Sequence, residues 1–301
     1  MVDRAALLRS ATALGAGGFV AATGAAVGFA TERYAMGRAL GGDDPYVNEP
    51  LGGLRGTPYA LETTDGVQLH VEVDGGDEPG PTIVFAHGYA LNQDCWHFQR
   101  RDLRATSRLV FYDQRSHGRS GRAPSDETSI RRLGVDLGEV IDHVAPPGPV
   151  VVVGHSMGGM SLMSLADQRP ELFGDRIVGV GLVATSAVLV RADEMSLRGR
   201  ANQVLHRYGP AAVATAAKQP DLIESVRRTG NDLGYVLTKR LAFARRDISP
   251  SLVEFVAAMF AGTPVGVIAD FLPHFGTHDT RRALAALERA DTLVLGSGRD
   301  Q

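Results

Sequence analysis

Two rhythms of apolar and polar residues run along this chain. Between Tyr59 and Gly76, "YALETTDG" and "VQLHVEVDGG" alternate apolar and polar positions about Asp65-Gly66. Alternation with a period of two around a tight turn predicts a hairpin with one face buried. The runs "TIVFAHG", "RLVFYDQ", "VVVVGHS" and "RIVGVGLVATS" are instead continuously apolar, as strands become when both faces of a parallel sheet are covered. Between them the period lengthens. "SIRRLGVDLGEVIDHV" sets Ile130, Leu133, Leu137, Val140, Ile141 and Val144 at helical spacing behind a Ser129 cap, and "MGGMSLMSLADQRP" runs from Met157 until Pro170. Strand alternating with helix predicts an α/β fold: a doubly wound, mostly parallel sheet with an antiparallel N-terminal hairpin.

From about Val188 to Gly276 the strand signals disappear. "SPSLVEFVAAMF" has Pro250 in the first turn after Ser249, with Leu252, Val256, Met259 and Phe260 on one side, and "TPVGVIADFL" repeats the start. This stretch is expected to be a helical cap inserted into the core. "THDTRRALAALERA" and "TLVLG" then restore helix and strand. The expected organisation is an N-terminal segment over 1–40, a Gly- and Pro-rich linker over 41–58, a core over 59–187, a cap over 188–276, and the core continued but incomplete over 277–301. Within the first segment Ala11 to Ala30 carries no charge, with Arg4 and Arg9 before it and Glu32, Arg33 and Arg38 after it. That is the length of one membrane-spanning helix, and Gly28 and Ala30 also suit signal-peptidase cleavage. Residues 11–30 are therefore expected to anchor the chain in a membrane or direct its export; a plain soluble helix there would leave it cytoplasmic.

Composition narrows the partners. The 301 residues carry a formal net charge of −3 and hold a single cysteine, Cys95. No basic footprint for nucleic acid is present, and neither a disulfide framework nor a multi-cysteine metal site can be built. His274 and His278 are four apart, but Pro273 and Gly276 argue against a helix there and no third ligand is near in sequence. Neither a Walker loop nor a dinucleotide glycine pattern occurs. The expectation is chemistry without metal or cofactor.

Such chemistry has a candidate in "VVVVGHSMGGM", where Gly154, Ser156 and Gly158 stand in a G-x-S-x-G arrangement between an apolar strand and a helix. A turn that sharp raises the Ser156 hydroxyl above the carboxyl end of the sheet, where ligands bind in open α/β folds. The helix starting at Met157 then points free N–H groups toward charge developing beside the serine. A second loop, "FAHGYALNQDCW", follows an earlier strand. Gly88 lets that backbone turn in closely, so that the amide of Tyr89 can face the same point as the amide of Met157.

With His87-Gly88-Tyr89, "YDQRSHGRSGR", Gly154 to Gly159 and Gly296 to Asp300 each following a predicted strand, residues 59–301 resemble an α/β-hydrolase-fold protein with a helical cap. The resemblance implies Ser156 as nucleophile, the amides of Tyr89 and Met157 as oxyanion hole, and Asp300 as the acid that orients a histidine. His87, Gly88, Gly154 and Gly158 would support the loops. In this fold the triad runs serine, acid, histidine, and no histidine follows Asp300, so the chain reads as a fragment or a truncated product. Losing the triad histidine costs on the order of a millionfold in turnover, which makes 1–301 alone nearly inert. His274 and His278 could substitute only against the family order. His87, His155 and His117 are expected in structural roles, and Asp113 as a scaffold ion-paired by Arg115 and Arg119. The implied activity is a cofactor-free serine hydrolase for a small apolar ester or related acyl substrate. An acyltransferase, a perhydrolase or haloperoxidase-like enzyme, and a non-catalytic hydrolase fold are the alternatives. A serine at the elbow argues against haloalkane dehalogenase or epoxide hydrolase chemistry, which uses aspartate there.

Overall fold

The computed structural model describes residues 44–76, 80–188, 235, 238–239, 242–243 and 247–296. The expected N-terminal segment with its 11–30 apolar run, much of the expected cap, and Asp300 lie outside these residues. The chain divides into two units, 1–48 with 226–254 and 49–225 with 255–301.

The larger unit is built on a seven-stranded sheet. Its strands are β1 (Thr57–Glu62), β2 (Gln68–Asp74), β3 (Thr82–Ala86), β4 (Leu109–Tyr112), β5 (Val150–His155), β6 (Ile177–Val183) and β7 (Asp291–Leu295), in the order β1-β2-β4-β3-β5-β6-β7. The hairpin β1-β2 is antiparallel and meets β4 antiparallel, while the pairs from β4 through β7 are parallel. This is the mixed sheet that the two rhythms predict. Helices α1 (His97–Leu103), α2 (Ile130–Val144) and α3 (Met157–Gln168) connect the strands. Ser129 caps α2, its Oγ accepting from the Arg132 amide at 3.1 Å. Ile130, Leu133, Leu137, Val140, Ile141 and Val144 are all buried, joining α2 to the core clusters that also hold β3, β5 and α3 side chains.

Beyond β6 come α4 (Pro250–Gly262), α5 (Val265–Phe275) and a single helical turn α6 (Leu284–Leu287). Two local readings are corrected here. Pro273 lies inside α5, although the helix ends at Phe275 with Gly276 as its cap, so that His274 and His278 share no helix, as expected. Only one intrahelical bond is forfeited so near a helix end, and burial of Phe271 and Phe275 holds the last turn in place. The expected helix over "THDTRRALAALERA" shrinks to a 3₁₀ turn at Arg281–Ala283 and then α6. Its would-be first turn is recruited elsewhere: the Thr280 amide donates to the Ala187 carbonyl at 2.8 Å and Asp279 bridges Val188.

At the far side of the sheet, β7 pairs only with β6 among the described residues, and Leu293, Val294 and Leu295 are 58%, 69% and 50% exposed. In the smaller unit the Asp44 carboxylate accepts from Ser249 Oγ (2.5 Å), the Ser251 amide (2.9 Å) and Ser251 Oγ (2.8 Å), satisfying the free start of α4. Among the described residues no single helix is long and apolar enough to cross a membrane.

Candidate active site

Five parallel strands deliver their ends at one level of the sheet, since Ala86 is in register with both Tyr112 and Gly154, and His155 with Val183, which pairs with Leu295. At the end of β5, Ser156 adopts φ +50° and ψ −115° and α3 starts at the next residue. A positive φ is strained for a residue with a side chain and persists only where its surroundings over-determine it. Here the Ser156 amide donates to the Val183 carbonyl at 2.9 Å, and Thr185 Oγ1 donates to the Ser156 carbonyl at 2.7 Å. Glycine on either side is a steric demand. A Cβ on Gly154 would stand 2.5 Å from the Gly158 oxygen, and one on Gly158 would stand 2.1 Å from the Ala86 oxygen.

That contact between Gly158 and Ala86 brings the start of α3 directly against the exit of β3. A Cβ on Gly88 would lie 2.7 Å from Nδ1 of His155, the residue before the serine. The structure thus brings Gly88, Gly154, Ser156, Met157 and Gly158 together. Neither the Tyr89 nor the Met157 amide has an acceptor among the described residues, so both are free to donate to a bound oxygen.

His87 is fully buried. Its Nδ1–H donates to the Gly88 carbonyl at 2.8 Å and its Nε2 accepts the Gln114 amide at 2.9 Å. Those partners demand the neutral ring, and burial pushes its pKa down to about 4. His117 bonds back to the Arg115 carbonyl at 3.0 Å and is pushed down by burial, and by its neighbour His87, to about 3.

The scaffold role expected of Asp113 is found with one of its two expected partners, Arg119, while the expected pairing with Arg115 is corrected. The Asp113 carboxylate accepts the amides of Gln93 (2.7 Å) and Arg119 (2.8 Å), while the Arg119 guanidinium stands 3.9 Å away. Ser116 and Gly118, at φ +64° and +53°, curl the loop so that its backbone faces the acid. Arg115 points elsewhere, to Asp136 (2.6 and 2.7 Å) and Asp65 (2.8 and 3.0 Å). Asp113 serves to shape the loop.

Helix α5 roofs the loop that carries Tyr89. Tyr89 Oη donates to the Ile268 carbonyl at 2.5 Å, its ring meets Phe275 edge-on at 5.0 Å, and Arg122 pairs with Asp270. Met157, Val267, Phe271 and Phe275 are buried in one cluster with Tyr89 packed against it. His274 sits in the last turn of α5, whereas His278, past Gly276, bonds Thr280 Oγ1 at 3.2 Å and the Ser186 backbone. Sequence reasoning passed over Gln114, Ser161 and Thr185. Gln114 had one signal, its place directly beyond an apolar strand at the carboxyl end of a parallel sheet.

This strand order and elbow define a family. A model of the alpha/beta hydrolase family matches residues 83–301, and the chain belongs to that family. A pimeloyl-[acyl-carrier protein] methyl ester esterase of Nitrosospira multiformis is 28% identical over 198 residues, covering 62% of this chain and 70% of that protein. Epoxide hydrolase 1 of Caenorhabditis elegans is 33% identical over 107 residues, 35% of this chain, and the match spans only 26% of that protein. Among solved structures, a hydrolase from Pseudomonas aeruginosa superposes with TM-score 0.58 at 26% identity, covering 79% of each chain.

Proposed function

We propose that this protein is a serine hydrolase acting on a carboxylic ester or related acyl bond of a small, apolar substrate. The observation that carries the reading is the strained Ser156, followed by the unengaged Met157 amide and packed against the loop that presents the unengaged Tyr89 amide. Ser156 Oγ attacks the substrate carbonyl carbon and the carbonyl oxygen becomes an oxyanion. The two amides donate to that oxygen, each contributing about 3 kcal/mol if it behaves like oxyanion donors elsewhere. The alcohol leaves, and water then releases the acid from the acyl-enzyme. By the family order Asp300, following β7, is the acid that orients the imidazole carrying the proton. His278 is a poor candidate because its ring already bonds Thr280 and Ser186.

Esterase relatives support this reading, and a serine at the elbow separates the chain from aspartate-dependent epoxide opening. Phe271, Phe275 and Met157 give the roof an apolar character that suits an alkyl or acyl group. The test is fluorophosphonate labelling of the full chain with peptide mass mapping, alongside hydrolysis of nitrophenyl esters of increasing acyl length. The label is expected on the peptide holding Ser156 and absent from a Ser156→Ala variant; equal labelling of both would overturn the proposal.

A further inference from the structure

We propose that Gln114 is a positioning residue: its buried side-chain amide holds the loop bearing the Tyr89 amide and the helix bearing the Met157 amide at a fixed separation. The inference rests on the oxyanion-hole reading above, and it assigns a role to a residue that touches neither substrate nor nucleophile.

The geometry is a closed bracket. From the end of β4, the Gln114 backbone N–H donates to His87 Nε2 at 2.9 Å and its side-chain Nε2 donates to the His87 carbonyl at 2.6 Å. Two bonds therefore reach the same residue of the β3 loop. On its other side, Gln114 Oε1 accepts from Ser161 Oγ at 2.8 Å, and that hydroxyl also lies 2.9 Å from the Met157 carbonyl. The His87 carbonyl can only accept, which fixes the amide orientation: nitrogen toward β3, oxygen toward α3. Gln114, His87, Ser161 and Met157 are all essentially inaccessible to water. With no water to substitute, a broken bond here leaves a buried polar group unpaired.

Strand pairing alone does not set the spacing of the two amides. The β3 ladder ends at Ala86, and Tyr89 lies three residues further on. Between them the chain is pinned at His87 by Gln114 and at Gly88 by the His87 ring and the Leu91 amide. Among the described residues Gln114 bonds both the β3 loop, at His87, and helix α3, at Ser161, so its loss would leave Tyr89 free to drift relative to Met157. Oxyanion donors are sensitive to such displacement, because their benefit depends on being aimed before the charge forms.

The decisive variant is Gln114→Glu. A carboxylate there can no longer donate to the His87 carbonyl, whereas the neutral carboxylic acid can donate to it and still accept from Ser161. Burial raises the pKa of such an acid, so it becomes neutral in mildly acidic solution. The titratable rings beside it, His87 and the adjacent His117, are held neutral through the same range. Labelling of Ser156 by a fluorophosphonate is expected to be about tenfold slower than wild type near pH 8 and to approach the wild-type rate as the pH falls toward about 5.5. A Glu variant that tracks the wild-type profile throughout overturns the proposal. Ser161→Ala removes one arm and leaves Gln114 Oε1 without its donor, and is expected to slow labelling by about threefold to tenfold in protein that still folds by circular dichroism; an unchanged rate overturns it equally.

If wild-type protein takes no label at Ser156, the serine lacks an activating base or is not the nucleophile, and the oxyanion-hole reading loses its support. Hydrogen exchange of the amides at 87–91 then decides the bracket by itself. Those amides are expected to exchange about tenfold faster in Gln114→Glu than in wild type near pH 8, with the gap closing toward about pH 5.5; no gap overturns the proposal.

Discussion

The centre of the sheet and its β7 edge are made of similar residues and end at the same level, yet they are held in opposite ways. At the centre, β3, β4 and β5 are buried, and the turns beyond them are locked by bonds among His87, Gln114 and Ser161 and by glycines with no room for a Cβ. At the edge, β7 has one neighbour among the described residues and shows its apolar side chains to solvent. The contrast separates two requirements of the proposed chemistry. The nucleophile and oxyanion donors need sub-ångström placement and sit where displacement is costly. Among the described residues the strand leading toward Asp300 is held by the β6 ladder and by the Ala184 amide bond to the Leu295 carbonyl at 2.8 Å.

The comparison breaks most visibly at Gly158. Adding one methyl group in Gly158→Ala sets a carbon 2.1 Å from the Ala86 carbonyl oxygen, backbone against backbone. A loss of about 3 kcal/mol or more is expected by denaturant titration, with labelling of Ser156 lost alongside.

Acid should attack the centre next. His87 is neutral when folded, with its pKa lowered from 6.5 to about 4, chiefly by burial. The unfolded chain therefore binds the extra proton between those values, and stability present above about pH 6.5 is lost as the pH falls toward about 4. The shift of about 2.5 units corresponds to about 3 kcal/mol from His87. His117, in ring contact with it and lowered to about 3, acts in the same direction. Facing charges are few: His155 lowers His87 further and Asp94 opposes, while Asp113 and Arg122 act oppositely on His117. Equilibrium unfolding at stepped pH is expected to show the decline, and His87→Gln to reduce its slope.

A matched pair of truncations sharpens the contrast further. Val152 in β5 is fully buried and Val294 in β7 is 69% exposed. Val152→Ala should cost about 2 kcal/mol, lost transfer energy plus a cavity, and Val294→Ala less than about 0.5 kcal/mol. Equal costs would mean that the β7 edge is covered in solution.

Local pattern made much of this legible in advance. The four apolar runs are β3 to β6, the Ser129 cap and the six-residue stripe are α2, and the strand-serine-helix spacing located a strained turn. What could not be read was set by distant chain. Arg115 looks like a partner for nearby Asp113, but it finds Asp136 and Asp65, 21 and 50 residues away. Asp113 is claimed by the amide of Gln93, twenty residues away, and by the amide of Arg119, in the loop that positive φ at Ser116 and Gly118 curls toward it. The helix expected from Thr277 is shortened by a bridge to 187–188, and α5 continues through Pro273 because Phe271 and Phe275 are buried beneath it. Gln114 resembles any polar residue in a loop until three strand ends converge on it.

The central claim is that the amides of Tyr89 and Met157 face one oxygen bound at Ser156. Diffraction from crystals of the phosphonylated protein tests it directly. The phosphoryl oxygen is expected at about 2.7–3.1 Å from both amide nitrogens. An adduct on Ser156 whose oxygen points away from either amide, or a label on another residue, would contradict the account.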